Sequence, residues 1–357
     1  MTSDTKIAPK ALRPSSTIAI LSPSARLNNL LPKRVSLAIG FFSSLGFKVK
    51  LNDKPLSRTA TLKESIEQRV KEIHEAFIDP EVQAIVCSLG GPNCNELLNH
   101  LDYNLIKANP KILCGFSDIT YLHYALYTQS DLRTFYGPTA LTQFAEFPSP
   151  LDTTASHFMK ILTNPSNSPG NFPLSKEYTD ESATQHWFTP NDLKVARPMK
   201  PNSGWRWVRR GKAKGIMFGG TLPLVVRLGG TPFDLPSYND VILLLELPEG
   251  EPWEDHPAYP ILNAKAEICD LANRGIFQQI AGLVLGRSFG FTEDMNTDFE
   301  DHVVQVIEVV GRSEGECPVL AGVDVGHTDP MVTVPLGAKA ELDSEQGIWQ
   351  CVQAVVV

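Results

Sequence analysis

The chain lacks the long apolar runs, the basic excess and the clustered cysteines that mark several large classes of protein. No apolar run among its 357 residues approaches the length of a membrane-spanning helix. Acidic residues outnumber basic ones, 40 against 32, whereas nucleic-acid-binding proteins usually carry a basic stripe. The polar opening MTSDTKIAPKALRPSS has neither a signal-peptide nor a transit-peptide pattern. We therefore expect a cytoplasmic protein that binds no nucleic acid and no membrane.

The six cysteines are scattered along the chain, at positions 87, 94, 114, 269, 317 and 351. They form no C-x-x-C pair, and no histidine lies at zinc-finger spacing from them. Cys87, Cys114 and Cys351 lie in apolar, strand-like runs, which is typical of small buried hydrophobic residues. We therefore expect reduced thiols rather than a disulfide scaffold.

The chain is longer than one average domain, so we expect two domains and a connection between them. Over residues 1–150, short apolar strands alternate with helical patterns, which indicates an α/β domain with a parallel sheet and helices on both faces. Residues 151–200 are rich in Ser, Thr, Asn and Pro and are expected to link the domains and partly to cover a site. Residues 201–357 predict a mixed α/β domain with a barrel-like or strongly twisted sheet.

The predicted elements place two features at the carboxyl ends of strands. In the first half we predict strands over 17–21, 47–51, 84–88 and 111–114, with helices over 35–45, 65–77 and 95–101 and after Ser117. In the second half we predict strands over 211–220, 241–246, 281–285, 318–321, 332–335 and 351–357, with helices over 261–273 and 301–310. Ligands of open α/β sheets bind outside the carboxyl ends of strands. The Gly90-Gly91 turn and Ser117 both lie at such ends.

Ser117 lies in the segment CGFSDIT, between an apolar strand and an amphipathic helix. A serine at this junction has its hydroxyl near the positive end of the helix, where free N–H groups stabilise an oxyanion. This is the geometry of a nucleophile elbow. The alternative is that Ser117 caps the helix, the commonest role of a serine at such a position, although Asp118 would cap equally well.

Glu246 ends a run of five apolar residues. A carboxylate at the rim of a buried strand is costly to desolvate unless a cation or a histidine N–H pairs with it. The alternative is that Glu246 has already reached solvent, since a loop begins at Leu247.

His327 lies in the turn VGHTDP between two short predicted strands. A loop histidine framed by Gly and Pro is held in place, which suits a general base. The alternative is an ordinary surface histidine, one of eight in the chain. Taken together, Ser117, Glu246 and His327 follow the order Ser, Glu, His, in which the imidazole deprotonates the serine and the carboxylate orients the imidazole.

These residues lie within segments that resemble the LD-carboxypeptidase family of serine peptidases, and within it the microcin C self-immunity peptidase (MccF-like) branch. The resemblance runs from about Ile18 to Gly337. It rests on segments that occur in order along the chain: IAILSPSAR, GGPNCNELLNHLDYNLIKANPKILCGFSDITYLHYAL, TFYGP, GWRW, GKAKGIMFGGTLPLVVRLGGTPF, LLLE, IAGLVLGR and VGHTDPMVTVPLGAKAEL.

The resemblance implies a role for each site residue. Ser117 is the nucleophile, His327 the general base and Glu246 the residue that orients it, while the backbone N–H groups of Gly91 and Asp118 form the oxyanion hole. It further implies a flavodoxin-like N-terminal sheet, no metal or organic cofactor, and a homodimer. The elbow reads G-x-S-D-I rather than G-x-S-x-G, which disfavours an α/β-hydrolase.

The resemblance also bears on the substrate. Leu89-Gly90-Gly91-Pro92-Asn93 replaces the Arg-Gly-Gly-Tyr-Gly turn usual in murein LD-carboxypeptidases, which favours a small peptide or a peptidyl or aminoacyl nucleotide as substrate. Trp187 then matches an aromatic that stacks on the nucleobase. The alternative is that Trp187 anchors the connection to a domain surface. A non-catalytic peptide- or nucleotide-binding module, a murein tetrapeptide carboxypeptidase and an acyl-transferring enzyme remain as competing functions.

Overall fold

The computed structural model describes residues 6–52, 54, 59–250, 258–313 and 315–357. Its strands are β1 Thr17–Leu21, β2 Lys48–Leu51, β3 Val82–Cys87, β4 Ile112–Gly115, β5 Thr134–Tyr136, β6 Gly170–Asn171, β7 Glu177–Tyr178, β8 Lys200–Pro201, β9 Arg206–Arg209, β10 Lys212–Thr221, β11 Val241–Glu246, β12 Gly282–Gly286, β13 Val319–Val323, β14 Val334–Leu336, β15 Ala338–Asp343 and β16 Ile348–Cys351.

The α-helices are α1 Pro32–Ser44, α2 Leu62–Ile78, α3 Tyr103–Ala108, α4 Thr120–Ser130, α5 Asp152–Thr163, α6 Leu222–Leu228, α7 Ile261–Asn273, α8 Ile276–Gln279 and α9 Glu293–Val309. Short 3₁₀ helices cover Cys94–His100, Ser117–Ile119 and Gln143–Ala145. Within the part of the chain that the structure describes, no helix is both long enough and apolar enough to span a membrane.

The first sheet contains six strands in the order β14-β5-β4-β3-β1-β2. Strands β1 to β5 pair in parallel, and β14 adds antiparallel to β5 at the edge. The order 2-1-3-4-5 of the parallel strands is that of flavodoxin-like folds, as the resemblance implied. In this order the ligand crevice lies at the carboxyl ends of β1 and β3. The connection after β1 leads to one side of the sheet and the connection after β3 to the other.

The second sheet contains eight strands in the order β6-β16-β15-β10-β11-β12-β13-β9. Its middle strands β10 to β13 are parallel, whereas the outer strands pair antiparallel. All six residues of β11, VILLLE, are buried, as expected for a parallel strand that is covered on both faces. The mixed α/β class that we predicted is therefore confirmed.

The two sheets are packed against each other through α4 and β10. The ring centroids of Tyr127 and Phe218 are 4.3 Å apart, and those of Tyr124 and Phe218 are 4.8 Å apart. The Thr221 N–H donates to Thr120 Oγ1 at 3.2 Å. The carboxyl end of β10 in the second sheet thus meets the helix that follows Ser117 in the first.

Helix α9 begins at Glu293, eight residues before the predicted start at Asp301. Its first turn contains Glu293 and Asp294, and the Thr292 hydroxyl accepts a hydrogen bond from the Met295 N–H at 3.2 Å. These are ordinary start signals for a helix. The predicted start of α9 is too late because its polar first turns show little apolar periodicity. Phe299 is the first buried residue of the helix.

Two further differences concern the connection and the end of the chain. Helix α5 lies inside the segment 151–200 and buries Phe158, Ile161 and Leu162, a stripe that its Ser and Thr neighbours obscured. The predicted strand over 351–357 is wrong, because β16 ends at Cys351. Val357 instead exchanges backbone hydrogen bonds with the N-terminal segment, at 2.8 Å with Ala11 and 2.9 Å with Pro9.

The six cysteines are free thiols, as predicted. Cys87, Cys94 and Cys114 are fully buried beside the first sheet. Burial raises the pKa of each of these three thiols well above its usual value, which leaves them neutral and unreactive.

Candidate active site

Ser117 lies in a strained turn between β4 and α4. Its φ is 60°, in the left-handed region that residues with side chains rarely adopt. Such strain is typical of functional sites, where the surrounding structure holds the residue in place. The Ser117 N–H donates to the Tyr136 hydroxyl at 3.2 Å. Neither the 3₁₀ turn nor α4 has a side-chain cap, so Ser117 does not act as the helix cap that was the alternative.

The Ser117 hydroxyl instead contacts His327. Its Oγ lies 3.0 Å from His327 Nε2, and His327 Nδ1 lies 2.7 Å from Glu246 Oε2. The Phe116 ring packs edge-on against the imidazole, with centroids 5.0 Å apart. The structure therefore brings the three residues into one hydrogen-bonded chain, although 210 positions separate Ser117 from His327.

Gly326 allows the histidine loop to approach Glu246. Its φ is 108°, and a Cβ atom there would lie 2.6 Å from Glu246 Oε2. A side chain at this position would push the carboxylate away from the imidazole. The glycine that precedes His327 is therefore required for the contact between His327 and Glu246.

Glu246 is held by two hydroxyl groups that the sequence analysis did not single out. The Tyr136 hydroxyl donates to Oε1 at 2.6 Å, and the Thr221 hydroxyl donates to the same oxygen at 2.5 Å. The Glu246 side chain is 0% exposed, so these bonds replace the water that burial removed. Tyr136 and Thr221 are the last residues of β5 and β10, and the strand-end reasoning that identified Glu246 applies to both.

The electrostatics of the buried pair favour a negative Glu246 and a basic His327. Burial raises the pKa of Glu246, but the charge of His327 and the hydrogen bonds from His327, Thr221 and Tyr136 together hold it below its usual value. Burial lowers the pKa of His327, but the carboxylates of Glu246, Glu249 and Asp329 outweigh that effect and raise it. An imidazole of increased basicity is suited to accept a proton from a serine hydroxyl.

Gly91 and Asp118 flank Ser117 in the turns after β3 and β4. Gly91 has a φ of 144°, and a Cβ atom there would lie 2.9 Å from the Ala25 backbone nitrogen, so only glycine fits against the segment that follows β1. The Asp118 carboxylate accepts hydrogen bonds from the Ser24 hydroxyl and from the Cys94 N–H, the latter at 2.7 Å. Burial raises the pKa of Asp118 to about 6. These contacts attach the serine turn to the glycine turn.

Two clefts meet at Ser117. The smaller, about 260 Å³, is lined in part by Phe116, Gln143, Thr184 and His327. The larger, about 630 Å³, is lined in part by Asp118, Tyr121, Thr221 and Arg227. Both are also lined by Gly91, Ser117, Pro248 and Glu249. A substrate with its scissile bond at Ser117 therefore has room on either side.

Residues 179–197, which we call the covering segment, lie beside the smaller cleft. Backbone hydrogen bonds of 2.7 and 3.0 Å link Thr179 to Asp329, close to His327. The Arg197 guanidinium binds Asp329 at 2.7 Å and also binds Glu146. Ala183 and Thr184 of the covering segment line the smaller cleft.

Trp187 is not brought to Ser117. Its side chain is 6% exposed and packs against Leu31, Val35 and Leu141, with the Arg34 guanidinium 4.8 Å above the ring. This position corresponds to the surface-anchor alternative, and stacking on a nucleobase remains a prediction. The neighbouring Phe188 is 65% exposed and has a φ of 62°.

The structure also bears on metal binding and on a further cation, Arg287. Among the residues that the structure describes, no group of three or more His, Cys, Asp or Glu side chains is placed to hold a metal ion. Arg287, which directly follows β12, pairs with buried Asp324 at 2.8 Å and lies 4.2 Å from the Tyr178 ring. It therefore has a structural partner.

The chain matches a known protein family along most of its length. The LD-carboxypeptidase N-terminal domain matches residues 18–137, and the LD-carboxypeptidase C-terminal domain matches residues 214–342. The microcin C7 self-immunity protein MccF of Escherichia coli is 32% identical over 334 residues, which cover 92% of this chain and 90% of MccF.

Solved structures of MccF are similar over almost the whole chain. MccF in complex with glutamyl sulfamoyl guanosine has a TM-score of 0.84 at 27% identity, covering 98% of this chain and 99% of MccF. MccF in complex with aspartyl sulfamoyl adenosine has the same TM-score and identity, covering 98% and 100%. The chain therefore belongs to the LD-carboxypeptidase family and is a serine peptidase.

Proposed function

We propose that this peptidase hydrolyses the amide bond between an acidic aminoacyl or peptidyl group and a nucleotide, through Ser117, His327 and Glu246. One observation carries the proposal: Ser117, on its strained turn, is hydrogen-bonded to an imidazole that is itself hydrogen-bonded to a buried carboxylate. This is the arrangement that turns a weakly nucleophilic hydroxyl into an effective nucleophile.

The reaction begins when Ser117 Oγ attacks the amide carbonyl carbon and His327 takes the hydroxyl proton. The oxyanion of the tetrahedral intermediate accepts hydrogen bonds from the N–H groups of Gly91 and Asp118. His327 then donates its proton to the leaving nitrogen, the C–N bond breaks, and an acyl-enzyme remains. Water attacks the ester with His327 as base, and Ser117 is restored as the acid is released. Glu246 holds the imidazole tautomer and stabilises the imidazolium in both steps.

The substrate proposal is supported by the relatives and by the clefts. MccF, at 32% identity, has been crystallised with glutamyl and aspartyl sulfamoyl nucleotides. The smaller cleft, beside the covering segment, takes the nucleotide, and Trp187 reaches the nucleobase when the covering segment shifts from its contact with α1. We further propose that the protein is cytoplasmic and forms a homodimer. Analytical ultracentrifugation tests the dimer directly.

The proposal is tested by a hydrolysis screen of aminoacyl sulfamoyl nucleotides against murein tetrapeptides. We expect faster cleavage of the nucleotide conjugates, and a loss of about 10⁶-fold in kcat for Ser117→Ala, as for other serine hydrolases that lose the nucleophile. Exposed Ser36→Ala is the matched control and should retain full activity.

Each competing function has its own outcome in this screen. Faster cleavage of tetrapeptides identifies a murein carboxypeptidase instead. Failure of a fluorophosphonate to label Ser117, with binding but no cleavage, identifies a binding module. Transfer of the acyl group to an added amine, in preference to water, identifies an acyl-transferring enzyme.

A further inference from the structure

Glu249 lies where the two clefts meet. It lines both, together with Ser117. Its backbone forms a bridge with Ala258, which fixes its position in the loop after β11. The Ser182 side chain hydrogen-bonds its carboxylate, and His327 and Arg197 are the nearby cationic groups. An ionised carboxylate offers about four lone-pair positions, so as far as the described residues go most of the hydrogen-bonding capacity of Glu249 remains for a ligand.

Arg227, at the end of α6, places a positive charge in the larger cleft. Its side chain is exposed and hydrogen-bonded to the Tyr121 hydroxyl. Among the described residues it forms no ion pair, unlike Arg197, which pairs with Asp329, and the Glu267 carboxylate acts on it only at longer range. A guanidinium of this kind is suited to bind a carboxylate through two parallel hydrogen bonds.

The third charged residue that lines the larger cleft, Asp118, already has hydrogen-bond partners within the protein. The Asp118 carboxylate is occupied by Ser24 and by the Cys94 N–H. Among the described residues that line it, the cleft therefore presents one carboxylate, Glu249, beside the scissile bond and one guanidinium, Arg227. A ligand carboxylate next to Ser117 would be repelled by Glu249, and a ligand ammonium near Arg227 would be repelled by the guanidinium.

We propose that the larger cleft binds the acyl part of the substrate as a zwitterion, with a free α-ammonium group on Glu249 and a side-chain carboxylate on Arg227. This inference rests on the proposed function, because it places the nucleotide in the smaller cleft and the acyl group in the larger one. It goes beyond that function in requiring a free amine: an aminoacyl nucleotide is preferred over a peptidyl nucleotide, whose α-nitrogen is an uncharged amide.

Steady-state kinetics on three substrates test the proposal: aspartyl sulfamoyl adenosine, its N-acetyl derivative and asparaginyl sulfamoyl adenosine. For the wild-type protein we expect kcat/KM for the aspartyl compound to exceed that for each of the others by about tenfold or more, the effect of one lost charge-assisted hydrogen bond. In Glu249→Gln the ratio of kcat/KM for the aspartyl substrate to kcat/KM for its N-acetyl derivative should fall to about 1. In Arg227→Gln the ratio of kcat/KM for the aspartyl substrate to kcat/KM for the asparaginyl substrate should likewise fall to about 1.

Ratios between substrates separate recognition from a general loss of activity, which affects all three compounds alike. Exposed Arg210→Gln and Glu308→Gln are the matched controls and should keep both ratios. Equal cleavage of free and acetylated substrates by the wild-type protein, or unchanged ratios in Glu249→Gln and Arg227→Gln, overturns this inference alone. Absence of cleavage of all three compounds overturns the proposed function, and this inference with it.

Discussion

Ser117, His327 and Glu246 form the proposed catalytic triad, and the region around them borders the smaller cleft together with the covering segment. The two regions are held in place by different forces. Glu246, Tyr136 and Thr221 end buried strands and are joined by short hydrogen bonds, and Gly326 brings the histidine loop into contact with them. The covering segment is held by ion pairs, such as Arg197 with Asp329 and Arg34 with Asp192 at 2.6 Å, and by the packing of Trp187 against α1.

Under the proposed function, this difference separates catalysis at the strand ends from substrate recognition by the covering segment. Groups at the ends of core strands cannot move without disturbing both sheets, which suits a geometry that must be kept to a fraction of an ångström. The covering segment contributes no strand to either sheet, so it can shift without disturbing them, although its buried ion pairs must then be exchanged for other partners. A segment held in this way is suited to open for a substrate and to close over it.

The largest expected effect comes from breaking the buried triad. Glu246→Gln keeps the shape of the side chain but removes its charge, and it places an amide NH2 group, which cannot accept, opposite His327 Nδ1. We expect a loss of about 10⁴-fold in kcat, as in serine proteases that lose their carboxylate. Circular dichroism should show a folded protein, and Glu308→Gln, on the exposed face of α9, should be fully active. A loss of less than tenfold would show that Glu246 does not orient the base.

A smaller effect is expected from shifting the triad without changing its chemistry. In Gly326→Ala the new Cβ atom meets Glu246 Oε2 and displaces the carboxylate. A displacement of about 1 Å costs about 10²-fold in kcat. Gly347→Ala is the control, because its φ is also positive, 65°, while nothing lies within 4 Å of the new Cβ. Equal losses in the two variants would trace the effect to backbone strain instead of displacement of Glu246.

The covering segment is tested by Arg197→Met. The substitution leaves Glu146 and Asp329 without their buried cation, and breaking such a pair costs about 3–5 kcal/mol. We expect the covering segment to loosen and KM for nucleotide conjugates to rise by about tenfold or more, with a smaller change in kcat. Lys200→Met, which breaks an exposed ion pair with Asp180, should leave KM unchanged. An unchanged KM in Arg197→Met would mean that the covering segment does not contribute to substrate binding.

The smallest expected effect is a shift of the pH profile. Only neutral His327 takes the serine proton, so kcat/KM rises with pH until His327 is deprotonated. Burial lowers the pKa of His327, whereas Glu246, Glu249 and Asp329 raise it. Glu249→Gln removes one of these negative charges, so the acid limb of the profile should move to lower pH. A limb that stays in place, or moves to higher pH, contradicts the electrostatic role of Glu249.

Part of the site was readable from the sequence because its signals are local. The apolar run before Ser117 and the helical spacing after it predicted a strand-to-helix turn, and the apolar run before Glu246 predicted a buried carboxylate in need of a partner. The parallel sheet of the first half followed from the alternation of strands and helices. Helix α5 and the first turns of α9 were missed, because their few buried residues are spaced among polar ones.

Other parts of the site depend on contacts between distant positions. Tyr136 and Glu246 are 110 positions apart, and the local sequence around either residue does not predict that the two form a hydrogen bond. The burial of Trp187 against α1 likewise depends on how the covering segment folds back on the first sheet. The resemblance supplied the roles of Ser117, His327 and Glu246, but only the packing of the two sheets brings their atoms within hydrogen-bonding distance.

The sequence by itself determined the α/β class, the family and the turn on which Ser117 lies, because periodicity and short motifs are properties of neighbouring residues. The tertiary structure decided which hydroxyl groups hold Glu246, where Trp187 lies and which charges line the two clefts. These features arise from close packing of strand ends that are remote in the chain, and hydrogen bonds and ion pairs form only where packing places their atoms within reach.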